Sequence, residues 1–326
     1  MDSGFLFYCF VAEPVNRQLQ VVANGVTRFG LPIGELRGAV IPIPPVADQR
    51  LIADFLDEKT AAIDALIAKK ERLIDLIEEK RQAAITRAVT KGLDPDVPMK
   101  DSGVEWLGEV PAHWEVLPVR RVAHFFGGTG FPHAYQGQTE GSYPFFKVED
   151  MNSKGNGWIL TKAANYVSEA VSRELRATIC PTGSVVFAKV GAALLKNRRR
   201  VLGQASIIDN NMLAAVPTGV RTKYFAHVLG LVDFGELRRP GPVPSITGGD
   251  VASIPIPIPP QSEQIAIEEH LDDLRRRNRS MVRLVSIQVE RLREYRQTLI
   301  SAAVSGQIDV RSRSTRTDEV LQEALS

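Results

Sequence analysis

The strongest local charge feature of this 326-residue sequence is a basic run without acidic neighbours. Lys189, Lys196, Arg198, Arg199 and Arg200 place five cations within twelve residues, and no acidic residue lies between positions 187 and 208. Cations in this pattern, beside Gly191, suit a loop that enters DNA grooves and meets phosphates. Arginine can also read guanine through two parallel hydrogen bonds. A solvated surface loop is the plain alternative. Three further positions join the candidate set. Thr129 and Gly130, in Gly127-Gly128-Thr129-Gly130-Phe131, belong to a loop whose glycines allow close backbone approach to a phosphate. Lys147, after Phe145-Phe146, could reach DNA from a strand end. Ser245 and Thr247 read as turn formers. Trp106, Trp114 and Trp158 read as core.

Signatures of catalysis are missing. The sequence holds no Gly-x-x-x-x-Gly-Lys-Ser/Thr phosphate loop and no Asn/Asp-Pro-Pro-Tyr/Phe segment of the kind that holds a flipped adenine. His113, His124, His133, His227 and His270 show no metal-like pairing with one another or with cysteine. We therefore expect no catalysis, metal or cofactor of the chain's own. Two cysteines, Cys9 and Cys180, are too few for a disulfide framework and point to a reducing cytoplasm. A composition of 44% hydrophobic and 24% charged residues excludes a disordered chain, and no apolar run is long enough for a membrane span. The net charge of +2 predicts no nucleic-acid partner by itself, so any such reading rests on the local cluster.

The elements that position these residues are organised by a repeat. Ile41-Pro42-Ile43-Pro44-Pro45 returns as Ile256-Pro257-Ile258-Pro259-Pro260, 215 residues later, and the offset holds without a gap to Asp94 and Asp309. Gln49 matches Gln264, Leu56-Asp57 matches Leu271-Asp272, and Arg81-Gln82 matches Arg296-Gln297. Each unit is a proline-stiffened strap followed by a stretch free of proline and glycine, which predicts one long helix of roughly 65 Å. In the second copy Leu271, Leu274, Asn278, Met281, Val285, Gln288, Leu292, Tyr295 and Leu299 keep a 3-4 spacing, which is a coiled-coil seam. The first copy keeps a similar stripe, interrupted by Lys59, Lys70 and Lys80. Two matched helices of this length are expected to pair antiparallel, with polar Asn278 and Gln288 fixing the register.

Between the helices, aromatic and β-branched runs at Trp114, Tyr143, Ser184 and Met212 read as strands, and residues 221–236 as a helix. The fold class is α+β: one complete mixed α/β domain, two long helices forming an antiparallel coiled coil, and an incomplete N-terminal fragment resembling the last third of that domain. The boundaries are 1–45 for the fragment, 46–97 and 259–310 for the helices, 98–258 for the domain, and 311–326 for a mobile tail. The fragment is expected to leave Phe5, Leu6, Phe7, Tyr8 and Phe10 uncovered, a patch that favours aggregation or borrowing a surface from another chain.

This layout resembles the specificity subunit of type I restriction-modification systems. The resemblance is carried by the segment from Lys100-Asp101-Ser102-Gly103 to His113-Trp114-Glu115-Val116, by the Pro-Ile-Pro-Pro straps and by the Arg-Gln…Ala-Val helix endings, and it covers nearly everything from Gly25 to Asp309. It implies a non-catalytic subunit in which each target-recognition domain reads one half of an interrupted double-stranded DNA site and the paired helices set the gap. It also implies modification (methyltransferase) subunits docking on the helices, and restriction subunits, with S-adenosylmethionine, ATP and magnesium on those partners. The sequence departs from the family in lacking most of the first recognition domain. One complete reader implies half a site per chain, and a second copy is a further expected partner, giving an inverted-repeat target. The alternatives are a coiled-coil scaffold that never reads DNA and a non-functional remnant.

Overall fold

The computed structural model describes residues 1–22, 33–238 and 241–311. Arg313 and Arg316 of the expected tail lie outside them. The chain divides into two compact units, one of Met1–Lys80 with Arg276–Ser326 and one of Arg81–Arg275.

In the first unit α1 (Ser3–Val11) and α2 (Glu13–Val22) precede a short α3 (Ile33–Arg37) and the long α4 (Val46–Lys91). Asp2 caps α1 by accepting the Phe5 N–H at 3.0 Å. The 46 residues of α4 span about 69 Å. Its residues up to Lys80 lie antiparallel to the C-terminal part of a second long helix, whose range is given below. Lys70 Nζ donates to Gln288 Oε1 at 2.9 Å, Arg293 pairs with Glu71 at 2.7 Å, and Arg296 with Asp64 at 2.9 Å. Of the polar interruptions expected in the two seams, Lys70 and Gln288 meet each other. The unit's core joins Phe5, Tyr8 and Cys9 to Ile52, Leu56, Ile63, Leu292, Leu299 and Ile300. The apolar N-terminal patch expected to be uncovered is therefore largely buried. Phe5 and Tyr8 face the helices, Leu6 and Phe10 are half-buried, and Phe7 alone of the five is exposed, at 60%. Helical spacing is the reason: positions 5, 8 and 9 share one face.

The second unit holds the sheets and the short helices. Its strands are β1 (Met99–Asp101), β2 (Glu109–Pro111), β3 (Glu115–Pro118), β4 (Ala123–Gly127), β5 (Tyr143–Phe146), β6 (Ile159–Leu160), β7 (Asn165–Val167), β8 (Val185–Ala188), β9 (Arg200–Leu202), β10 (Ile207–Ile208), β11 (Met212–Pro217) and β12 (Pro255–Ile258). Its helices are α5 (Glu169–Glu174), α6 (Ala192–Leu195), α7 (Thr222–Leu231) and α8 (Gly248–Ala252), and the chain then enters α9 (Gln261–Val304), the second long helix. A five-stranded sheet runs β4-β11-β8-β9-β6, a three-stranded one β10-β5-β7, and β1-β2 and β12-β3 pair separately. β8 is buried along its whole length, because it is apolar on both faces. Val185 and Phe187 enter one core with Leu213, Ala215 and α7, while Val186 enters another with Ala214, Met212 and Leu160. The four strand-like runs of the sequence are β3, β5, β8 and β11. The helix expected over 221–236 stops at Leu231, where Val232 turns extended and the Asp233 carboxylate accepts the Gly235 N–H at 2.7 Å.

Tyr224 fastens α7 to its surroundings, donating from a fully buried hydroxyl shared between the carbonyls of Val89 at 3.2 Å and Pro257 at 2.9 Å. Trp114 is buried against the end of α4 and donates Nε1–H to Glu263 Oε2 at 2.9 Å. Gly92, at φ +76°, ends α4 under that ring, where an added Cβ would lie 3.3 Å from it.

Candidate nucleic-acid interface

Lys147 and Lys196 are far apart in sequence and face one open cleft of about 570 Å³. Gln136, Asn152, Asn210 and Asn211 line it with amides, Glu149 and Asp209 with carboxylates, and Phe131 with a ring. Each wall has a local cause. Lys147 follows β5, and its N–H donates to the buried Asp150 carboxylate at 2.7 Å. Burial raises the Asp150 pKa, against the pull of its bonds from the Lys147 and Ala164 N–H groups. Lys147 Nζ donates to Gln136 Oε1 at 2.8 Å and lies 5.8 Å from the centre of the Phe131 ring, which stacks on Phe145 at 3.8 Å. Across the cleft, α6 follows the turn at Gly191 (φ +76°) and ends at Lys196, which is exposed. Asp209 shapes the third wall, accepting the Asn211 N–H at 2.6 Å and leaving the side chains of Asn210 and Asn211 outward.

The five cations of the basic run do not act alike. Lys196 lines the cleft and Arg198 is exposed. Lys189 is half-buried at the end of β8; its N–H donates to the Asn211 carbonyl at 2.8 Å and its carbonyl accepts from Ile246 at 2.9 Å. Arg200 is held by Nε–H to the Met151 carbonyl at 3.1 Å. Burial lowers its pKa, helped by the charges of Arg198 and Arg275.

Arg199 has to be withdrawn from the DNA-contacting set. Its side chain is 5% exposed, with its guanidinium 3.4 Å from the centre of the Phe234 ring. Nη2 donates to Asn197 Oδ1 and to the Val232 carbonyl, each at 3.0 Å. Burial lowers its pKa to about 9, opposed only in part by Asp233. In a strand-adjacent run, alternate side chains point to opposite faces, and this one points inward.

The glycine loop is tied inward as well. A Cβ on Gly128 would lie 1.8 Å from the Asp209 carbonyl oxygen, so the glycine serves chain-to-chain packing rather than a phosphate. Thr129 donates its N–H to the Ile208 carbonyl at 2.8 Å, and its hydroxyl accepts from Thr178 N at 3.4 Å. Gly130 has open space around it. Thr247 caps α8 in a capping box with Asp250, the turn chemistry expected of it. Trp114 is core, Trp158 is half-buried, and Trp106 is 40% exposed. Asn210, Asn211 and Gln136 were missed from sequence. The Asp209-Asn210-Asn211 turn between two apolar strands was the available signal. Asparagine and glutamine side chains are able to pair with both N6 and N7 of adenine.

Residues 111–290 match the family described as "Type I restriction modification DNA specificity domain". The chain belongs to this family of type I specificity subunits. It is 22% identical over 330 residues to the MjaVIII specificity subunit of Methanocaldococcus jannaschii, an alignment covering 96% of this chain and 72% of that one. A second relative from the same organism, the MjaX specificity subunit, is 24% identical over 90% of this chain and 64% of its own length. Two solved structures share the fold. One, titled for complex assembly and conformational transition of the type I R-M system, has a TM-score of 0.72 at 17% identity, covering 92% of this chain and 70% of that one. The HsdS subunit from Thermoanaerobacter tengcongensis has a TM-score of 0.55 at 17% identity, covering 94% and 71%. Type I specificity subunits supply DNA recognition rather than catalysis, and the cleft brings together two lysines, one exposed and one half-buried, with four amides.

Proposed function

We propose that the chain reads one half of an interrupted DNA site through the face that carries the 147/196 cleft. Lys147, Lys196 and Arg198 would neutralise phosphates, and Gln136, Asn210 and Asn211 would present donor and acceptor pairs to base edges. The observation that carries this reading is the convergence of two lysines and several amides in one open cleft of a type I specificity domain. Modification subunits would dock on α4 and α9 and bring S-adenosylmethionine, with ATP and magnesium on the restriction subunits. A second copy of the chain would turn the half-site into an inverted repeat.

The experiment is selection of bound duplexes from a random library by the chain, alone and with its modification subunits, at several salt concentrations. A recurrent half-site is expected, with binding that weakens steeply in salt for wild type and less steeply for Lys147→Ala with Lys196→Ala. Enrichment of no sequence, or identical selection and salt dependence by the double variant, would set the assignment aside.

A further inference from the structure

Among the described residues, one of the two straps of the internal repeat has no strand paired with it. In the second copy a single glutamine fastens the strap to its helix: Gln264 Nε2 donates to the Pro259 carbonyl at 2.9 Å, its N–H donates to Pro260 at 3.0 Å, and its Oε1 accepts the Arg221 N–H at 2.8 Å. The first copy repeats each bond. Gln49 Nε2 donates to Pro44 at 2.7 Å, its N–H to Pro45 at 3.0 Å, and its Oε1 accepts the Asp2 N–H at 2.8 Å. The two straps are thus held in the same way, residues 40–43 standing where residues 255–258 stand.

What they carry differs. β12 pairs antiparallel with β3, Ile256 opposite Leu117 and Ile258 opposite Glu115. Pro255 and Pro257 have no N–H, so the pairs that exchange hydrogen bonds are those at Ile256 and Ile258. By the same alternation Ile41 and Ile43 present their backbone groups on the equivalent edge. The backbone N–H and C=O of Val40 point the other way, both bonded to the Gln18 side chain, at 2.9 and 3.2 Å. Among the described residues no backbone group pairs with Ile41 or Ile43. Ile256 is fully buried and Ile258 half-buried; of their counterparts, Ile41 is half-buried against the core of its unit and Ile43 is 69% exposed. A fixed, apolar, unpaired edge of this kind is a template for strand addition.

We propose that residues 40–43 are a docking edge for an extended strand of the β3 type, a Trp-Glu-Val-Leu-Pro pattern, supplied by a second polypeptide. The repeat itself specifies the occupant, since the equivalent edge is covered by that strand in antiparallel register. The proposal goes beyond DNA reading and does not depend on it.

The test adds a fluorescein-labelled peptide of residues 113–121 to the full chain and follows anisotropy and backbone hydrogen exchange. Saturable binding is expected, with new protection at Ile41 and Ile43. Ile43→Pro removes one donor from an exposed position already followed by proline, and should weaken binding about tenfold at an unchanged melting temperature. The proposal is overturned by binding no better than that of a scrambled peptide, or by equal binding to Ile43→Pro. It is likewise overturned by protection at residues 255–258 instead, or by an Ile43 amide already protected without peptide in the monomeric chain, which would mean that another segment of the same chain holds the edge.

Discussion

Arg199 and Lys196 sit three residues apart, and replacing each should fail in opposite ways. Truncation of Arg199 to alanine empties a buried site between aromatic rings and removes two charge-assisted hydrogen bonds. The Val232 carbonyl keeps its bond from Asn197 Nδ2 at 3.0 Å, so no acceptor is orphaned. The desolvation penalty of a cation whose pKa is pulled down to about 9 is recovered. The net is a core truncation, a loss of about 3 kcal/mol. Arg199→Met fills the same space without charge and should stay within about 1 kcal/mol of wild type. Lys196 is exposed, so Lys196→Ala should move stability by less than about 0.5 kcal/mol and make log K against log salt shallower by about 1. All three tryptophans, Trp106, Trp114 and Trp158, lie in the unit of Arg81–Arg275, so urea unfolding followed by their fluorescence reports that unit. The reasoning is refuted if folded Arg199→Met loses DNA affinity and salt dependence, or if Lys196→Ala keeps the wild-type slope.

Other expectations follow from single groups. His227 packs at a tilt against Trp158, ring centres 4.4 Å apart, and is held near pKa 4 instead of 6.5, chiefly by burial and then by Arg275. The unfolded chain therefore binds the extra proton between those values. Stability present above pH 6.5 should fall as pH drops toward 4, by up to roughly 3 kcal/mol, and His227→Phe should flatten that loss in fluorescence-detected melts. Tyr8→Phe removes bonds to Asp57 at 2.7 Å and Thr60 at 3.1 Å, and should cost about 1 kcal/mol, read by hydrogen exchange in residues 46–64. Gly92→Ala places a side chain at φ +76° against Trp114, and should cost about 1 to 2 kcal/mol by urea unfolding.

The large elements were legible because they are written periodically. The C-terminal part of the seam, Leu292, Tyr295 and Leu299, and the paired straps follow from spacing and repeat, whereas Met281 is 43% exposed and Leu271 and Leu274 pack in the core of the other unit. β3, β5, β8 and β11 were legible as apolar runs bounded by turns. The site was less so, because a basic run states charge and not direction. Arg199 and Lys196 look alike in sequence, yet one packs on Phe234 and the other ends a four-residue helix. Lys147 met the Asn210–Asn211 turn through long-range pairing of β5 with β10, and Lys196 through that of β8 with β11, which no local pattern carries. The amides of Gln136, Asn210 and Asn211 became conspicuous only when the cleft brought them together. The N-terminal aromatics were misjudged because their partners, Leu299 and Ile300, lie nearly 300 residues away.

The most direct test of the central claim is long-read mapping of adenine methylation in cells expressing this chain with its modification subunits and no other specificity subunit. The account expects one interrupted motif, altered at particular bases by Asn210→Ala, Asn211→Ala or Gln136→Ala and methylated less fully, but at the same bases, with Lys196→Ala. No methylation despite soluble chain, or a motif indifferent to all four changes, would contradict it.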